Sequence, residues 1–388
     1  MRIVVVNFSY DLDAVDADAL LSRYHSLTGW CEALADAGSS VTAVQRFHTN
    51  ATITRGGVEY CFYDDASLGD PRPPIWLRAC QRLVGRANPD VVHVNGLNWP
   101  AQTWLLRRAL PARAAIVVQD HAGGEPDAIP GSYARTVRRF VRRRLMRAAD
   151  GFFFTARAQA DSWRRVGLIG AHQPSYQVLE ASTTLKPAWR AVARQDTGVQ
   201  GDPAVLWVGR LNANKDPLTV LDGFERCLDR LPGATLSMIY SAADLLQEVG
   251  DRIRTSPALA ARVRLVGRVP RERMAEFYSA ADLFVLGSHH ESCGYSLIEA
   301  CACGVPSVVT DIPTFRAITG DAAIGALWWP GDAQACAAAL ARVAGRSALE
   351  SREHVLEHFD RELSWPAVAK AATDAYADIC ARRRGESA

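Results

Sequence analysis

Short apolar runs alternate along the chain with longer stretches in which apolar residues recur at helical spacing. Because these runs are apolar at every position, they predict strands buried on both faces, as in a parallel sheet. Strands are predicted at 3–6, 41–44, 91–94, 115–118, 152–155, 204–209, 234–240, 262–267, 283–288 and 306–310. The alternation of strands with helices predicts a doubly wound α/β domain in each half of the chain.

The length of the chain and one polar stretch predict its division into domains. At 388 residues the chain is long for one core, so about two domains are expected. Residues 185–203 have polar, proline and glycine character without a strand pattern, and we predict a linker there. Rossmann-like domains are then predicted over 1–184 and 204–362. The helical period of 363–388 predicts a final helix that packs back toward the N-terminal domain.

Composition and charge exclude several classes of protein. The chain is 48% hydrophobic and 22% charged, as expected for a globular protein, and its net charge of +2 argues against a nucleic-acid partner. No apolar run approaches the ~20 residues that span a bilayer. The first residues, MRIVVVNFSYD, fit a buried strand and not a signal peptide. We therefore expect a cytoplasmic protein, as a monomer or a homodimer.

The nine cysteines are scattered and include no C-x-x-C pair. This pattern favours reduced thiols over a disulfide framework or a zinc site. Cys301 and Cys303 lie two apart on a predicted helix, so they point in different directions and are expected to be small core residues.

A basic segment, Arg135–Arg147, holds seven arginines around an apolar stripe. It predicts a solvated basic helix, and the alternative is contact with a phosphorylated acceptor or, peripherally, with an anionic surface on the inner face of the membrane. A second charged segment, DLDAVDAD at 11–18, is predicted to be a solvated loop or part of an acceptor site.

The sequence VGRLNANKDP, residues 208–217, leads from a predicted strand into a helix. Asp216 is predicted to cap that helix, with Pro217 at its first position. Arg210 and Lys215 would then lie at the carboxyl edge of the sheet, where they could neutralise a diphosphate. Two solvated loop cations are the alternative.

The sequence ESCGYSLIEACACGVP, residues 291–306, places two glutamates on a loop and the helix that follows it. Glu291 falls in the loop, whereas Glu299 falls in a helix from about Tyr295 to Cys303 that Gly304 ends. Backbone N–H groups around Gly294 to Ser296 form the start of this helix and favour an anion. The two carboxylates are therefore expected to contact two parts of one elongated ligand.

Together, VGRL with Lys215, YSAADLFVLGS, and E-x7-E running into EACACGVPSVVT resemble the C-terminal half of retaining GT-B glycosyltransferases. That family includes sucrose synthases and bacterial mannosyl- and N-acetylglucosaminyltransferases, and the match covers roughly residues 204–345. The resemblance implies two doubly wound Rossmann-like domains facing each other across a cleft. It also implies transfer of a hexosyl group from a nucleotide diphosphate sugar, UDP-linked first and GDP-linked second, to an acceptor hydroxyl. No cofactor or metal is expected.

The resemblance also implies roles for individual residues. Arg210 and Lys215 would hold the diphosphate, Glu299 the ribose and Glu291 the sugar, with the base near Gly267 to Val269. The implied donor-binding residues are Gly209, Arg210, Lys215, Gly267, Arg268, Val269, Glu291, Gly294, Tyr295, Ser296, Leu297 and Glu299. The implied catalytic residues are Glu291, His121, Arg210 and Lys215.

The resemblance is weaker in the first half. His121, in VVQDHAGG at 117–124, follows a predicted strand as a family histidine that faces the donor sugar does. The acceptor side is expected to involve His93, Asn95, Gly96 and Asp120. A histidine satisfied at a strand end is the alternative for His121.

Three stretches depart from the family pattern. No glycine pair stands near Leu21 and Ser22, Glu180-Ala181-Ser182 replaces the usual Asn-Gly-Val, and Tyr240-Ser241-Ala242-Ala243 replaces a glycine-rich turn. These departures leave phosphate contacts from the first domain, closure and base preference open. The competing functions are a nucleotide-sugar-binding protein without catalysis and a glycosyl phosphorylase on the same fold.

Overall fold

The computed structural model describes residues 1–65, 78–121, 123, 133–346 and 348–385. The chain divides into two compact units, each with its own sheet. Unit 1 comprises Met1–Ser182 and Trp365–Ala388, and unit 2 comprises Thr183–Ser364.

Unit 1 is built on an eight-stranded sheet. Its strands are β1 (Arg2–Asn7), β2 (Ser40–Phe47), β3 (Ala51–Arg55), β4 (Val58–Asp64), β5 (Val91–Asn95), β6 (Ala115–Gln119), β7 (Gly151–Phe154) and β8 (Ser175–Gln177). They lie in the order β3-β4-β2-β1-β5-β6-β7-β8, and all neighbours are parallel except the antiparallel pair β3 and β4. Successive connections run to opposite sides of β1, so the carboxyl ends of β1 and β5 flank the crevice where such sheets bind ligands.

Seven helices lie within the described residues of unit 1. They are α1 (Ala17–Arg23), α2 (His25–Asp36), α3 (Arg78–Arg86), α4 (Pro100–Ala109), α5 (Tyr133–Met146), α6 (Arg157–Arg165) and the last helix of the chain, α16 (Trp365–Arg384). The final helix packs against α2 and β6. Gly29 makes this packing possible, because a Cβ atom there would lie 2.3 Å from the ring of Trp365.

Unit 2 is built on a six-stranded parallel sheet. Its strands are β9 (Ala204–Gly209), β10 (Thr235–Tyr240), β11 (Val263–Gly267), β12 (Leu283–Leu286), β13 (Ser307–Thr310) and β14 (Gly325–Trp328). Their order is β11-β10-β9-β12-β13-β14, which is the dinucleotide-binding order of the Rossmann fold. The ligand crevice of this arrangement lies at the carboxyl ends of β9 and β12.

The helices of unit 2 cover both faces of this sheet. They are α7 (Arg190–Thr197), α8 (Pro217–Cys227), α9 (Leu246–Arg254), α10 (Pro257–Arg262), α11 (Met274–Ala280), α12 (Tyr295–Ala302), α13 (Pro313–Thr319), α14 (Ala333–Ala344) and α15 (Ala348–His358). Short 3-10 turns occur at Ala213–Lys215 and Arg271–Arg273, and a π-helical turn at Phe359–Leu363. Sequestering the apolar strands between helices explains why their runs are apolar at every position.

Every strand predicted from the sequence is present, within three residues at the ends. Four strands were missed: β3, β4, β8 and β14. The hairpin of β3 and β4 had a usable signal, because Gly56 and Gly57 join two β-branched and aromatic runs. Both glycines have positive φ, 55° and 73°, as the tight turn requires.

The predicted linker, 185–203, differs from the structure in one respect. It lies within unit 2, and part of it forms α7, which packs against α11. Arg194 secures this helix by donating to Asp282 and to the Ala280 carbonyl oxygen, at 2.7 Å and 3.0 Å. The polar composition of 185–203 therefore located the domain boundary approximately, but it gave no indication of the amphipathic helix α7.

Candidate active site

The loop after β9 is shaped by two short caps. The Asn212 side chain accepts from the Lys215 backbone N–H at 3.1 Å, which closes the 3-10 turn. Asp216 then has a left-handed φ of 43° and caps α8 by accepting from Thr219 N–H at 3.2 Å. Pro217 occupies the first turn of α8. The predicted roles of Asp216 and Pro217 are confirmed.

The structure joins the two principal motifs of unit 2 through an ion pair between Lys215 Nζ and Glu291 Oε1. Only 16% of the lysine side chain and 11% of the glutamate side chain are exposed. Ser288 Oγ donates to the same carboxylate at 2.8 Å, and Thr314 Oγ1 donates to the Glu291 carbonyl at 2.6 Å. Glu291 is therefore held in place from three directions.

Asn214 ties the loop after β9 to the loop after β12. Its side chain donates to the His290 carbonyl oxygen at 3.0 Å and accepts from the His290 N–H at 3.1 Å. Gly287 allows the approach, because a Cβ atom there would lie 3.2 Å from the Lys215 carbonyl oxygen. The ion pair thus sits at the carboxyl edge of β9 and β12, in the ligand crevice of the fold.

The start of α12 lies between the two glutamates. Gly294 precedes the helix with a φ of 68°, and a Cβ atom there would approach Ile318 Cδ1 to 2.9 Å. Tyr295 and Ser296 are half-buried in its first turn, while Leu297 is fully buried. The backbone at this end can therefore meet an anion, whereas the Leu297 side chain serves the core.

Glu299 is buried on α12 and has two protein partners that the sequence did not reveal. Tyr278 donates to Oε2 at 3.0 Å, and Arg271 pairs with Oε1 at 3.2 Å. Burial raises the pKa of the Glu299 carboxyl, while Arg271 and Tyr278 oppose that rise. Any ribose hydroxyl bound here would share the carboxylate with these side chains.

The remaining predicted donor residues of unit 2 lie at strand ends. Arg210 follows Gly209 directly, and its exposed side chain forms no ion pair within the described part of the chain. Gly267 ends β11 with a φ of 81°, followed by exposed Arg268 and half-buried Val269. Arg210 is therefore available to an anionic ligand.

Unit 1 has a cavity of about 360 Å³ at the carboxyl ends of β1, β2, β5 and β6. Residues from both sides of the switch point between β1 and β5 line it, among them Asp11, Asn95, Gly96, Trp99, His121 and Glu180. The structure therefore brings three of the residues predicted for the first domain, Asn95, Gly96 and His121, to one cavity.

His121 is paired with Glu180 in the wall of this cavity, with Nδ1 and Oε2 2.8 Å apart. The Glu180 side chain is only 6% exposed. Burial disfavours the imidazolium, but the Glu180 charge and hydrogen bond, with a contribution from Asp120, raise the pKa of His121 above its usual value. Sequence comparison had marked Glu180 only as a departure from the family, and its contact with His121 required the fold.

His93 and Asp120 are buried and do not line this cavity. His93 is fully buried among Trp30, Phe153 and Tyr376, and its Nδ1 is 2.7 Å from the Tyr376 hydroxyl. Its position on β5 turns its side chain into the core beneath α16, because side chains alternate between the faces of a strand. Asp120 is also buried and accepts from Gly123 N–H at 3.2 Å, so it shapes the loop after β6.

The aspartates of segment 11–18 cap a helix and pair with an arginine, and one of them, Asp11, also lines the cavity. Asp16 caps α1 by accepting from Ala19 N–H at 2.7 Å, and Asp11 pairs with Arg23 at 3.2 Å. Leu21 and Ser22, where a glycine pair was sought, lie inside α1. All nine cysteines are buried, and Cys301 and Cys303 are core residues as predicted.

The basic segment forms most of α5. Among its described side chains, Phe140 is 66% exposed and Val141 49% exposed. Contact of this helix with a membrane surface stays a prediction. None of the helices in the described ranges combines the length and the apolar character needed to cross a bilayer, and none of the described residues form a cluster of three or more potential metal ligands.

Comparison with known proteins finds two matching family models. The model of the family "Glycosyl transferases group 1" matches residues 190–355, and that of the "Glycosyl transferase 4-like domain" matches residues 25–174. The first match contains the candidate site of unit 2, and the second contains part of the cavity of unit 1, since Asp11 and Glu180 lie outside it. The chain therefore contains a domain that matches the group 1 glycosyl transferases and, in its first half, a glycosyl transferase 4-like domain.

Curated relatives match over shorter stretches. A mannosylfructose-phosphate synthase from Agrobacterium fabrum is 37% identical over 130 residues, which is 32% of this chain and 28% of that protein. D-inositol 3-phosphate glycosyltransferase 2 from Catenulispora acidiphila is 31% identical over 202 residues, 49% of this chain and 47% of that protein. The chain thus spans half or less of the length of these relatives.

Solved structures match almost the whole chain. Sucrose-phosphate synthase from Thermosynechococcus elongatus superimposes with a TM-score of 0.68 and 20% identity, over 98% of this chain and 100% of that chain. HepE from Anabaena, in complex with UDP and glucose, gives a TM-score of 0.68 and 15% identity over 97% and 100%. The fold is therefore GT-B, with two Rossmann-like units.

Proposed function

We propose that the protein is a retaining glycosyltransferase that moves a hexosyl group from a nucleotide diphosphate sugar to an acceptor hydroxyl, without a metal ion. The ion pair between Lys215 and Glu291 carries the proposal, because it assembles two distant motifs in the ligand crevice of unit 2. A UDP-sugar is the preferred donor and a GDP-sugar the second choice. HepE, whose solved complexes contain UDP, supports this order only by likeness of fold.

The donor diphosphate would bind at the cationic side of this crevice. Exposed Arg210 offers a forked guanidinium, and Lys215 can share its ammonium between Glu291 and a phosphate oxygen. The backbone N–H groups at the start of α12 would add a further anion contact. These groups act where negative charge develops on the leaving diphosphate, so they would do the work that a metal ion does in other sites.

Glu291 is assigned to the transferred sugar, and His121 to a catalytic role. Held by Ser288 and Lys215, Glu291 presents a fixed carboxylate to sugar hydroxyls and to the positive charge of an oxocarbenium-like ring. In the step itself, the bond between the anomeric carbon and the phosphate oxygen breaks as the acceptor oxygen attacks from the same face. The acceptor proton passes to the departing phosphate, which serves as the base.

A thermal-shift panel of UDP-, GDP-, ADP- and TDP-sugars, each with and without EDTA, tests the donor and the metal independence. We expect a UDP-sugar to stabilise the protein most and EDTA to leave the shift unchanged. If none of the nucleotide sugars stabilises the protein, the proposal fails, and a shift abolished by EDTA would overturn the metal-free mechanism.

Turnover separates catalysis from mere binding. We expect release of UDP from UDP-glucose with an acceptor present, and NMR of the product should show the anomeric configuration of the donor. Donor binding without any turnover would instead support a binding protein, and an inverted product would contradict the retaining mechanism.

A further inference from the structure

The cavity of unit 1 offers uncharged hydrogen-bonding groups for its ligand. Five carboxamides line it: Asn7, Gln45, Asn95, Asn98 and Gln119. Tyr10, Tyr24, Trp30 and Trp99 add aromatic surface to the wall. Carboxamides pair with hydroxyl groups as donors and as acceptors, and aromatic rings cover the apolar faces of a small molecule. The volume, about 360 Å³, lies near the lower end for small-molecule sites.

The charges of the cavity wall are unsuited to a phosphate. Among the described residues that line it, none is lysine or arginine, whereas Asp11 and Glu180 are carboxylates. His121 is the titratable base of the wall, and Glu180 already pairs with it.

Three arginines contact residues of the cavity wall and already have partners, and one of them, Arg142, donates to the Leu97 carbonyl oxygen at 3.1 Å and stacks over the Trp163 ring. Arg23 pairs with Asp11 at 3.2 Å and with Asp13 at 3.5 Å, so two carboxylates share one guanidinium. Arg46 is fully buried, stacks over the Tyr10 ring at 4.9 Å and pairs with Asp65. A phosphate entering the cavity would lose water and would have to compete with these partners for a guanidinium.

Gln45 supplies a separate indication that the ligand carries hydroxyl groups. Its Nε2 donates to the carbonyl oxygens of Ser9 and Arg46 at 2.9 Å and 2.7 Å, which fixes the orientation of the amide. Its buried Oε1 accepts from none of the described residues. A buried acceptor of this kind requires a donor from a ligand or a water molecule.

We infer that the cavity of unit 1 binds an unphosphorylated, polyhydroxylated ring, a sugar or a cyclitol, as the acceptor of the glycosyl transfer. That the ligand is an acceptor rests on the proposed function. The chemical class of the ligand rests on the cavity wall alone. It distinguishes this chain from relatives named for phosphorylated compounds, such as mannosylfructose-phosphate synthase and D-inositol 3-phosphate glycosyltransferase.

Matched pairs of compounds test the inference on the full chain: glucose with glucose 6-phosphate, fructose with fructose 6-phosphate, and myo-inositol with inositol 1-phosphate. Binding is measured by saturation-transfer NMR and titration calorimetry, without nucleotide and with UDP. We expect at least one unphosphorylated member to bind on the order of tenfold more tightly than its phosphate ester. It should also increase UDP release from UDP-glucose above the rate without acceptor.

A charge variant tests the physical cause. Asn98, exposed at the rim of the cavity, is replaced in Asn98→Lys, and exposed Ala37 in the control Ala37→Lys. We expect the first variant to narrow or reverse the preference for the unphosphorylated compound, because it supplies the missing cation. The control adds the same charge away from the cavity and should keep the original preference.

Tighter binding of the phosphate ester across the pairs overturns the inference, and so does a panel in which no unphosphorylated polyol binds. If the proposed function is wrong and the inference is right, a polyol will bind to the cavity while no nucleotide sugar is bound or turned over. If a nucleotide sugar is hydrolysed and no polyol binds, the proposed function stands and the inference fails.

Discussion

Lys215 and Glu291 lie 76 positions apart in the sequence and form a largely buried ion pair in unit 2. Each residue follows a strand that flanks the switch point of the sheet, so the fold and not the chain brings them together. The ion pair holds in place the ammonium group that we assign to the donor diphosphate and the carboxylate that we assign to the donor sugar.

Lys215→Ala should reduce kcat/KM for a UDP-sugar by about a hundredfold or more, because it removes a positive charge from the leaving diphosphate. It also leaves the Glu291 carboxylate without its counter-charge. The measurement is UDP release under steady-state conditions. Lys186→Ala is the control, because Lys186 is an exposed lysine outside the site. Equal activity of the two variants would remove Lys215 from the mechanism.

Glu180→Gln should shift the titration of His121 to lower pH. The Glu180 charge and hydrogen bond raise the pKa of His121 against the effect of burial, and Asp120 and buried His93 are the other titratable groups that interact with it. NMR titration of the His121 ring in both proteins measures the shift. His172→Gln, a change at an exposed histidine, should leave this titration unchanged.

The same pair makes stability depend on pH in a defined direction. Because the folded pKa of His121 is raised above 6.5, its contribution is full below pH 6.5 and is lost as pH rises through the folded pKa. The free energy of unfolding, measured in urea, should fall as pH rises through this range in the native protein, and it should fall less in Glu180→Gln. An identical pH dependence in both proteins would contradict the pairing.

Glu299→Gln should weaken nucleotide binding by about tenfold while leaving thermal stability at neutral pH unchanged or higher. Binding weakens because the ribose hydroxyl loses a charged hydrogen-bond acceptor. Stability does not fall because the variant no longer keeps a buried carboxylate ionised, a state that burial disfavours, as the raised pKa of Glu299 shows. Calorimetric titration with UDP and a thermal melt give the two quantities. Glu276→Gln, at a glutamate that pairs with Arg273 on the surface, serves as the matched control. Unchanged UDP affinity would exclude the ribose contact.

His93→Ala should lower the free energy of unfolding by about 2–4 kcal/mol, because it opens a cavity among aromatic rings and leaves the Tyr376 hydroxyl unpaired. Asn95→Ala, two residues further along the chain, should affect acceptor KM more than stability, since Asn95 lines the cavity of unit 1. Urea denaturation and acceptor kinetics on both variants separate the roles. A stable His93→Ala protein with a raised acceptor KM would restore the original prediction for His93.

His93 also predicts acid sensitivity of the opposite sign to that of His121. Burial, with the nearby His121 charge, lowers the pKa of His93 to about 3. Its neutral form therefore stabilises the fold above pH 6.5, and that contribution is lost as pH falls from 6.5 toward about 3. Acid unfolding of His93→Gln should show a shallower dependence on pH over this interval.

Local sequence patterns were sufficient for most of the fold. Uninterrupted apolar runs located the buried strands, and Asp216 with Pro217 located the start of α8, because these signals depend on near neighbours in the chain. The hairpin of β3 and β4 was missed although Gly56 and Gly57 carried its signal. The three residues of β8 were too few to form a pattern.

Contacts between distant residues decided the candidate sites. The sequence by itself determined which loops carry Lys215, Glu291 and His121, since motif spacing places them after buried strands. Only the tertiary structure decided that His93 belongs to the core and that Glu180 pairs with His121. The direction of the His93 side chain depends on packing against α16, and the contact between His121 and Glu180, 59 positions apart, depends on the order of the strands. Local periodicity in the sequence encodes neither.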